Sequence, residues 1–253
     1  MDDFAVVDYF PNSKSTNLTR HVLSIVDPAT DLGRLVAVIL FVDTEHESGW
    51  TKPYAERLQA ARTRIKYRLE DMTGDEVLIA RYDRVDRDLI GRVGARAMFL
   101  SGSASPLPTY GAEQDGIFAV LRDMAMPTFA FCGGMQMMAG ALDVEVGLIG
   151  LDNEGDPMKE TGYNPTPITG QHAMLDGLSS APVMRHAHGW ELKSVPDGFS
   201  VYSSTEVTPI QMIIHDELPV IATQFHPEYW TDEAPEGKRL IENFCSRAEL
   251  HLL

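Results

Sequence analysis

The chain has 253 residues, 44% of them hydrophobic and 23% charged, and a formal net charge of −16 from 21 basic and 37 acidic side chains. So acidic a surface repels phosphates and argues against nucleic acid or an anionic membrane as the main partner. Two cysteines, Cys132 and Cys245, cannot build a disulfide framework or a four-thiolate zinc site. With no basic-then-apolar leader at the amino terminus and no window near the ~20 apolar residues of a membrane span, a reducing cytoplasm is the expected setting.

In chain order, residues 1–34 read as an extension and 35–253 as a single domain, since no Ser/Pro/Gly linker divides them. LVAVILFVD (35–43) is continuous, β-branched and followed by a polar loop, which predicts a fully buried strand. PYAERLQAARTRIKYRLEDM (53–72) predicts a helix, with Pro53 in its first turn and Leu58, Ala61, Ile65 and Leu69 at helical spacing. A strand at 76–83, a short helix at DRDLIGRV, a buried strand at 95–102, a helix at 116–125 and a strand at 127–132 follow, and GMQMMAGAL reads as the next helix. This alternation predicts an α/β fold, a doubly wound, mostly parallel sheet flanked by helices. Beyond residue 150 the chain is rich in turns. IQMIIHDE and LPVIATQFHPE predict a small antiparallel hairpin, and GKRLIENFCSRAELHLL a last helix.

A strand running straight into a helix through Cys132-Gly133-Gly134 has the pattern of a nucleophile elbow. Such a corner thrusts its side chain out at the carboxyl end of the sheet, where open α/β folds keep their sites. Close strand–helix packing needs small residues at −2 and +2, and Ala130 and Gly134 meet that need. The helix start adds a positive dipole end beside the sulfur, and the Gly133 N–H points toward any oxyanion formed on the group attacked. A Gly-rich turn around an inert buried cysteine gives the same local pattern.

A thiol nucleophile needs a base, and the base needs an orienter. QFHPEYW (224–230) offers both: Pro227 disfavours helix at His226, and in an extended segment His226 and Glu228 face the same way. A surface His-Pro-Glu turn is the plain alternative.

Taken together, these motifs resemble the class I (triad, G-type) glutamine amidotransferase domain over about residues 35–247. The elbow G-x-C-x-G-x-Q appears as AFCGGMQ, the acid–base segment QFHPE is complete, and the oxyanion strand–loop L-S-G-G-P appears as LSGSA. HAHGW and KETGY match the family's His-Gly and Glu-x-Gly-Tyr segments. The resemblance implies Cys132 as nucleophile, His226 as acid–base and Glu228 as its orienter. It implies an oxyanion hole from Gly133 and the Gly102–Ser103 loop, and a grip on glutamine by Gln136 and the backbone of Ala187, Gly189 and Trp190. The implied activity is hydrolysis of the glutamine side-chain amide through a γ-glutamyl thioester, with ammonia passed to a separate synthetase. No cofactor is called for, and no G-x-x-x-x-G-K-S/T loop is present. A stand-alone γ-glutamyl hydrolase using the same triad, and a degenerate regulatory protein, are the alternatives.

Three departures stand out. Ala130 replaces the first elbow glycine. Ser103 and Ala104 replace the family's Gly-Pro, and a β-carbon at Ser103 makes a peptide flip to positive φ costly. The third is the amino-terminal extension together with the segment DTEHESGWTKPYAE, neither of which maps onto the family pattern. Asp43, Glu45, His46 and Glu47 within that segment read as a solvated loop. His186 and His188 form H-x-H, read as structural because no third ligand is nearby. Met135, Met137 and Met138 read as core, Cys245 as packed rather than reactive, and Trp190 as core or a wall of the glutamine pocket.

Overall fold

The computed structural model describes residues 38–250. The expected extension, residues 1–34, lies outside the described residues. Among the described residues, eleven strands and five helices run in the order β1 (Val38–Asp43), α1 (Ala55–Thr73), β2 (Glu76–Arg81), α2 (Arg87–Val93), β3 (Ala95–Leu100), α3 (Asp115–Asp123), β4 (Thr128–Phe131), α4 (Gly133–Ala141), β5 (Val146–Leu148), β6 (Glu160–Pro165), β7 (Val183–His188), β8 (Trp190–Leu192), β9 (Phe199–Ser203), β10 (Met212–His215), β11 (Val220–Thr223) and α5 (Glu236–Arg247). The main sheet has the order β2-β1-β3-β4-β11-β10-β9. Its first five strands are parallel, and β10 pairs antiparallel with both β11 and β9. Two small antiparallel pairs, β5 with β8 and β6 with β7, stand apart from it.

The doubly wound reading follows from side-chain alternation along β1. Ile39 and Phe41 join Phe99, Phe129 and Phe131 against α1 and α5, which contribute Ile65, Leu69, Leu240, Ile241 and Phe244. Leu40 and Val42 face the other way, onto Ile117 and Leu121 of α3 and Met135 and Met138 of α4. A strand buried on both faces must read as one apolar run, which is why 38–43 shows no polar alternation.

Helix ends follow local chemistry. Asp86 caps α2 by accepting from the Leu89 N–H at 2.7 Å, and Gly74 and Gly94 end α1 and α2 at φ 68° and 63°. The last helix is shorter than the sequence predicts. It stops at Arg247, and Glu249 takes φ 55°. Among the described residues, no helix is long and apolar enough to cross a membrane.

One sequence expectation is overturned at the carboxyl end of β1. Asp43 is 6% exposed and Glu45 fully buried, so the first part of the acidic segment is interior rather than solvated. Of the four residues read as a solvated loop, Glu47 alone is exposed, and His46 is half-buried.

Candidate active site

The corner between β4 and α4 has the geometry its sequence demands. Cys132 sits at φ 46°, ψ −106°, a left-handed conformation that costs a non-glycine residue on the order of 1–3 kcal/mol. The neighbouring strand holds it there: the Cys132 N–H donates to the Thr223 carbonyl of β11 at 2.6 Å. Gly134 has no room for a side chain, because a Cβ would lie 2.7 Å from Leu100 Cβ and 2.8 Å from the carbonyls of Leu100 and Ser101. Ala130 fits its methyl into the fully buried layer above α4.

Because β11 runs parallel beside β4, the segment leaving its carboxyl end arrives next to the sulfur. His226 is 8% exposed and Glu228 1%, and His226 Nδ1 lies 2.7 Å from Glu228 Oε1. Burial opposes the imidazolium, but the Glu228 carboxylate and the Cys132 sulfur more than offset it, and the pKa of His226 is pushed up to about 9. The His226 N–H donates to the Arg185 carbonyl at 2.8 Å, which ties the base to β7. Arg68 donates to the carbonyls of Glu228 and Trp230 and stacks on the Trp230 ring.

Gln136 joins the set from the first turns of α4. Its Nε2 donates to the Trp190 carbonyl and to Gln224 Oε1, each at 3.3 Å. Gln224 Nε2 in turn reaches Cys132 Sγ at 3.5 Å. Trp190 therefore takes part through its backbone, and its ring is half-buried. Ala187 lies opposite Thr161 in the β6–β7 ladder, and the Gly189 carbonyl accepts from the Ile149 N–H. Those two belong to the adjoining β7–β8 segment rather than to the hydrogen-bonded set around the sulfur.

The loop after β3 closes the other side. A Cβ on Gly102 would lie 2.6 Å from His226 Cε1 and 3.5 Å from Cys132 Cβ. A Cβ on Gly133 would lie 2.5 Å from the Ser103 nitrogen. Both glycines are thus required by close approach, and Gly102, Ser103 and Gly133 surround the corner as the sequence suggests.

Sequence reasoning missed Gln224, Arg62, Asp43 and Glu45. Gln224 carries a readable signal, since 224, 226 and 228 share one face of an extended segment. Arg62 has one as well: it lies three residues before Ile65 and seven before Leu69, on the buried stripe of α1. The reading of His186 and His188 needs correction. Glu160 stands directly opposite His188, so a third ligand-type side chain is nearby after all, with donor atoms of the three within 4.8 Å of one another. Hydrogen bonds occupy most of them: Glu160 accepts from Thr205 and Gln211, His186 Nε2 meets Thr166 Oγ1, and His188 Nδ1 meets the Trp190 carbonyl. Burial, with His188 and His226 beside it, pulls His186 down to about 4 despite Glu160. Burial likewise pushes the second thiol, Cys245, up to about 12, and the side chain is fully buried against the core.

Comparison with known proteins gives the family and the fold. The family model "Glutamine amidotransferase class-I" matches residues 74–248. A GMP synthase [glutamine-hydrolyzing] from Carboxydothermus hydrogenoformans is 32% identical over 142 residues, 56% of this chain and 26% of that protein. One from Pseudomonas fluorescens is 27% identical over 168 residues, 63% of this chain and 30% of that protein. The chain thus spans under a third of the length of these curated relatives. In fold it is similar to a GMP synthase component from Thermoplasma acidophilum, with TM-score 0.66, 22% identity, and 86% and 96% of the two chains covered. It is also similar to the glutaminase domain of Trypanosoma brucei CTPS, with TM-score 0.60, 17% identity, and 86% and 96% covered.

Proposed function

The chain belongs to the class-I glutamine amidotransferase family, and from that premise we propose that it hydrolyses the side-chain amide of glutamine and passes the ammonia to a separate synthetase. The observation that carries this reading is the buried hydrogen bond between His226 and Glu228 beside a thiol held in an elbow.

In this reading the Cys132 proton passes to His226, and the sulfur attacks the amide carbon. The S–C bond forms, and negative charge collects on the amide oxygen. The N–H groups of Gly133 and Ser103 stabilise that oxyanion, such donors being worth roughly 3–4 kcal/mol in comparable sites. His226 then gives its proton to the leaving nitrogen, the C–N bond breaks and ammonia departs. Water, deprotonated by the same imidazole, cleaves the γ-glutamyl thioester and releases glutamate and the free thiol. Glu228 keeps the imidazole in one orientation and stabilises its cation. Gln136 and the backbone of Ala187, Gly189 and Trp190 would grip the α-amino and α-carboxyl groups. The names of the curated relatives make a nucleotide-amidating synthetase the first partner class to try.

Incubation with a diazo-ketone analogue of glutamine, followed by intact mass, tests the site. One adduct is expected, absent in Cys132→Ala. A wild-type chain left unlabelled, with or without candidate synthetases, would refute the reading. Release of glutamate from glutamine in preference to larger γ-glutamyl amides separates it from a γ-glutamyl hydrolase.

A further inference from the structure

The residues after β1 and on α1 form a second buried network against the 102–105 loop. Arg62, 5% exposed, donates from Nε to Asp43 Oδ1 at 3.1 Å and from its terminal nitrogen to the Gly102 carbonyl at 2.6 Å. Glu45, fully buried, accepts from the Ala104 N–H at 2.7 Å and from Ser105 Oγ at 2.6 Å, with Ser103 Oγ 3.3 Å away. Ser103 Oγ also meets the Tyr110 hydroxyl at 2.8 Å, and that hydroxyl donates to the Thr44 carbonyl at 2.5 Å. Gly49 makes the space, for a Cβ there would lie 2.1 Å from Glu45 Oε1. A carboxylate buried in this way is costly unless its oxygens are hydrogen-bonded, and each of the two accepts a bond here.

The network fixes one peptide plane. In a trans peptide the carbonyl and the following N–H point in opposite directions. With the Gly102 carbonyl turned to Arg62, the Ser103 N–H faces away from Arg62, on the side of Gly133. Among the described residues that N–H has no acceptor. Neither Gly102 nor Ser103 takes a positive φ, so the serine in place of a glycine is unstrained and its hydroxyl becomes one more anchor.

We propose that Arg62, Asp43 and Glu45 are positioning residues that hold the Gly102–Ser103 peptide with its N–H toward the oxyanion, so that the hole is set in the chain by itself rather than by a docking synthetase. This rests on the glutaminase reading above, and it turns the departure of LSGSA from LSGGP into a built feature.

The test compares wild type, Arg62→Gln, Glu45→Gln and Tyr110→Phe for three quantities: steady-state glutamate release, KM for glutamine, and alkylation of Cys132 by iodoacetamide, which forms no oxyanion. Wild type alone is expected to turn over glutamine. Loss of one oxyanion donor lowers kcat about 100-fold or more. Arg62→Gln and Glu45→Gln are expected to approach that loss, and Tyr110→Phe to show about a tenth of it. KM and the alkylation rate are expected to stay within about threefold of wild type. Should Arg62→Gln fail to fold, Glu45→Gln and Tyr110→Phe carry the test. Equal falls in kcat and alkylation would mean general disruption and overturn the proposal. A wild-type chain labelled by the diazo-ketone at Cys132 but idle on glutamine until a synthetase is added would overturn the preset hole and leave the glutaminase reading standing. Neither label nor turnover would remove both.

Discussion

Replacing Glu228 by glutamine keeps the shape of the His226–Glu228 contact and removes its charge. The carboxylate is 1% exposed, and the imidazole it meets at 2.7 Å has its pKa pushed up to about 9. The difference from an ordinary histidine near 6.5 is about 2.5 units, or about 3 kcal/mol in favour of the imidazolium. In Glu228→Gln burial works against that cation with only the sulfur to oppose it, so the imidazolium beside Cys132 is expected to be lost at neutral pH. Alkylation of Cys132 by iodoacetamide, followed by intact mass from pH 5 to 9.5, is expected to fall on the order of 100-fold at pH 7.5. Cys245 is expected to stay unmodified, since burial holds it as a thiol. Stability gives a second readout. A histidine raised in the folded state contributes stability that is complete below pH 6.5 and is lost as pH rises through about 9. Urea melts of wild type should show that decline, and melts of Glu228→Gln should not. Alkylation within threefold of wild type across the range would refute the reasoning.

Three further outcomes are expected. His186, held down to about 4 by burial, is protonated in the unfolded chain before the folded one, so stability present above pH 6.5 falls by up to about 3 kcal/mol as pH drops to 4. Urea melts on wild type and His186→Gln check this, with the slope absent in the variant. Gly102→Ala puts a methyl 2.6 Å from His226 Cε1, and glutamate release should drop more than tenfold while the melting temperature moves by less than about 3 °C. Gly237→Ala puts one 2.3 Å from the Pro227 carbonyl, where α5 meets the turn carrying Glu228. Overpacking of that kind costs about 2 kcal/mol, roughly 4–8 °C in a thermal melt.

Strong periodic signals made most of the sheet legible. The apolar runs within 38–43, 95–100 and 128–131 read as buried strands because they are short, continuous and set between turns and helices. The thiol, imidazole and carboxylate could be read because each stands in a short motif whose backbone geometry follows from its own residues. The clamp on the 102–105 loop could not. Asp43, Glu45 and Arg62 are polar, and polarity in a segment after a strand argues for solvent. What buries them is a partner distant in sequence: 19 residues separate Asp43 from Arg62, 40 separate Arg62 from the Gly102 carbonyl and 59 separate Glu45 from the Ala104 N–H. The Glu160–His188 pair was hidden for the same reason, since cross-strand register is set by the whole hairpin and not by either strand.

The hydrogen bond from Cys132 to Thr223 joins the two strands whose ends carry the sulfur and the ring. The β4–β11 ladder sets where the two strand ends lie, and the Arg185 carbonyl and Glu228 then fix the ring of His226 beside the sulfur. A substitution in the encircling segments leaves that ladder, and with it the placing of the Cys132 corner beside the end of β11, in place.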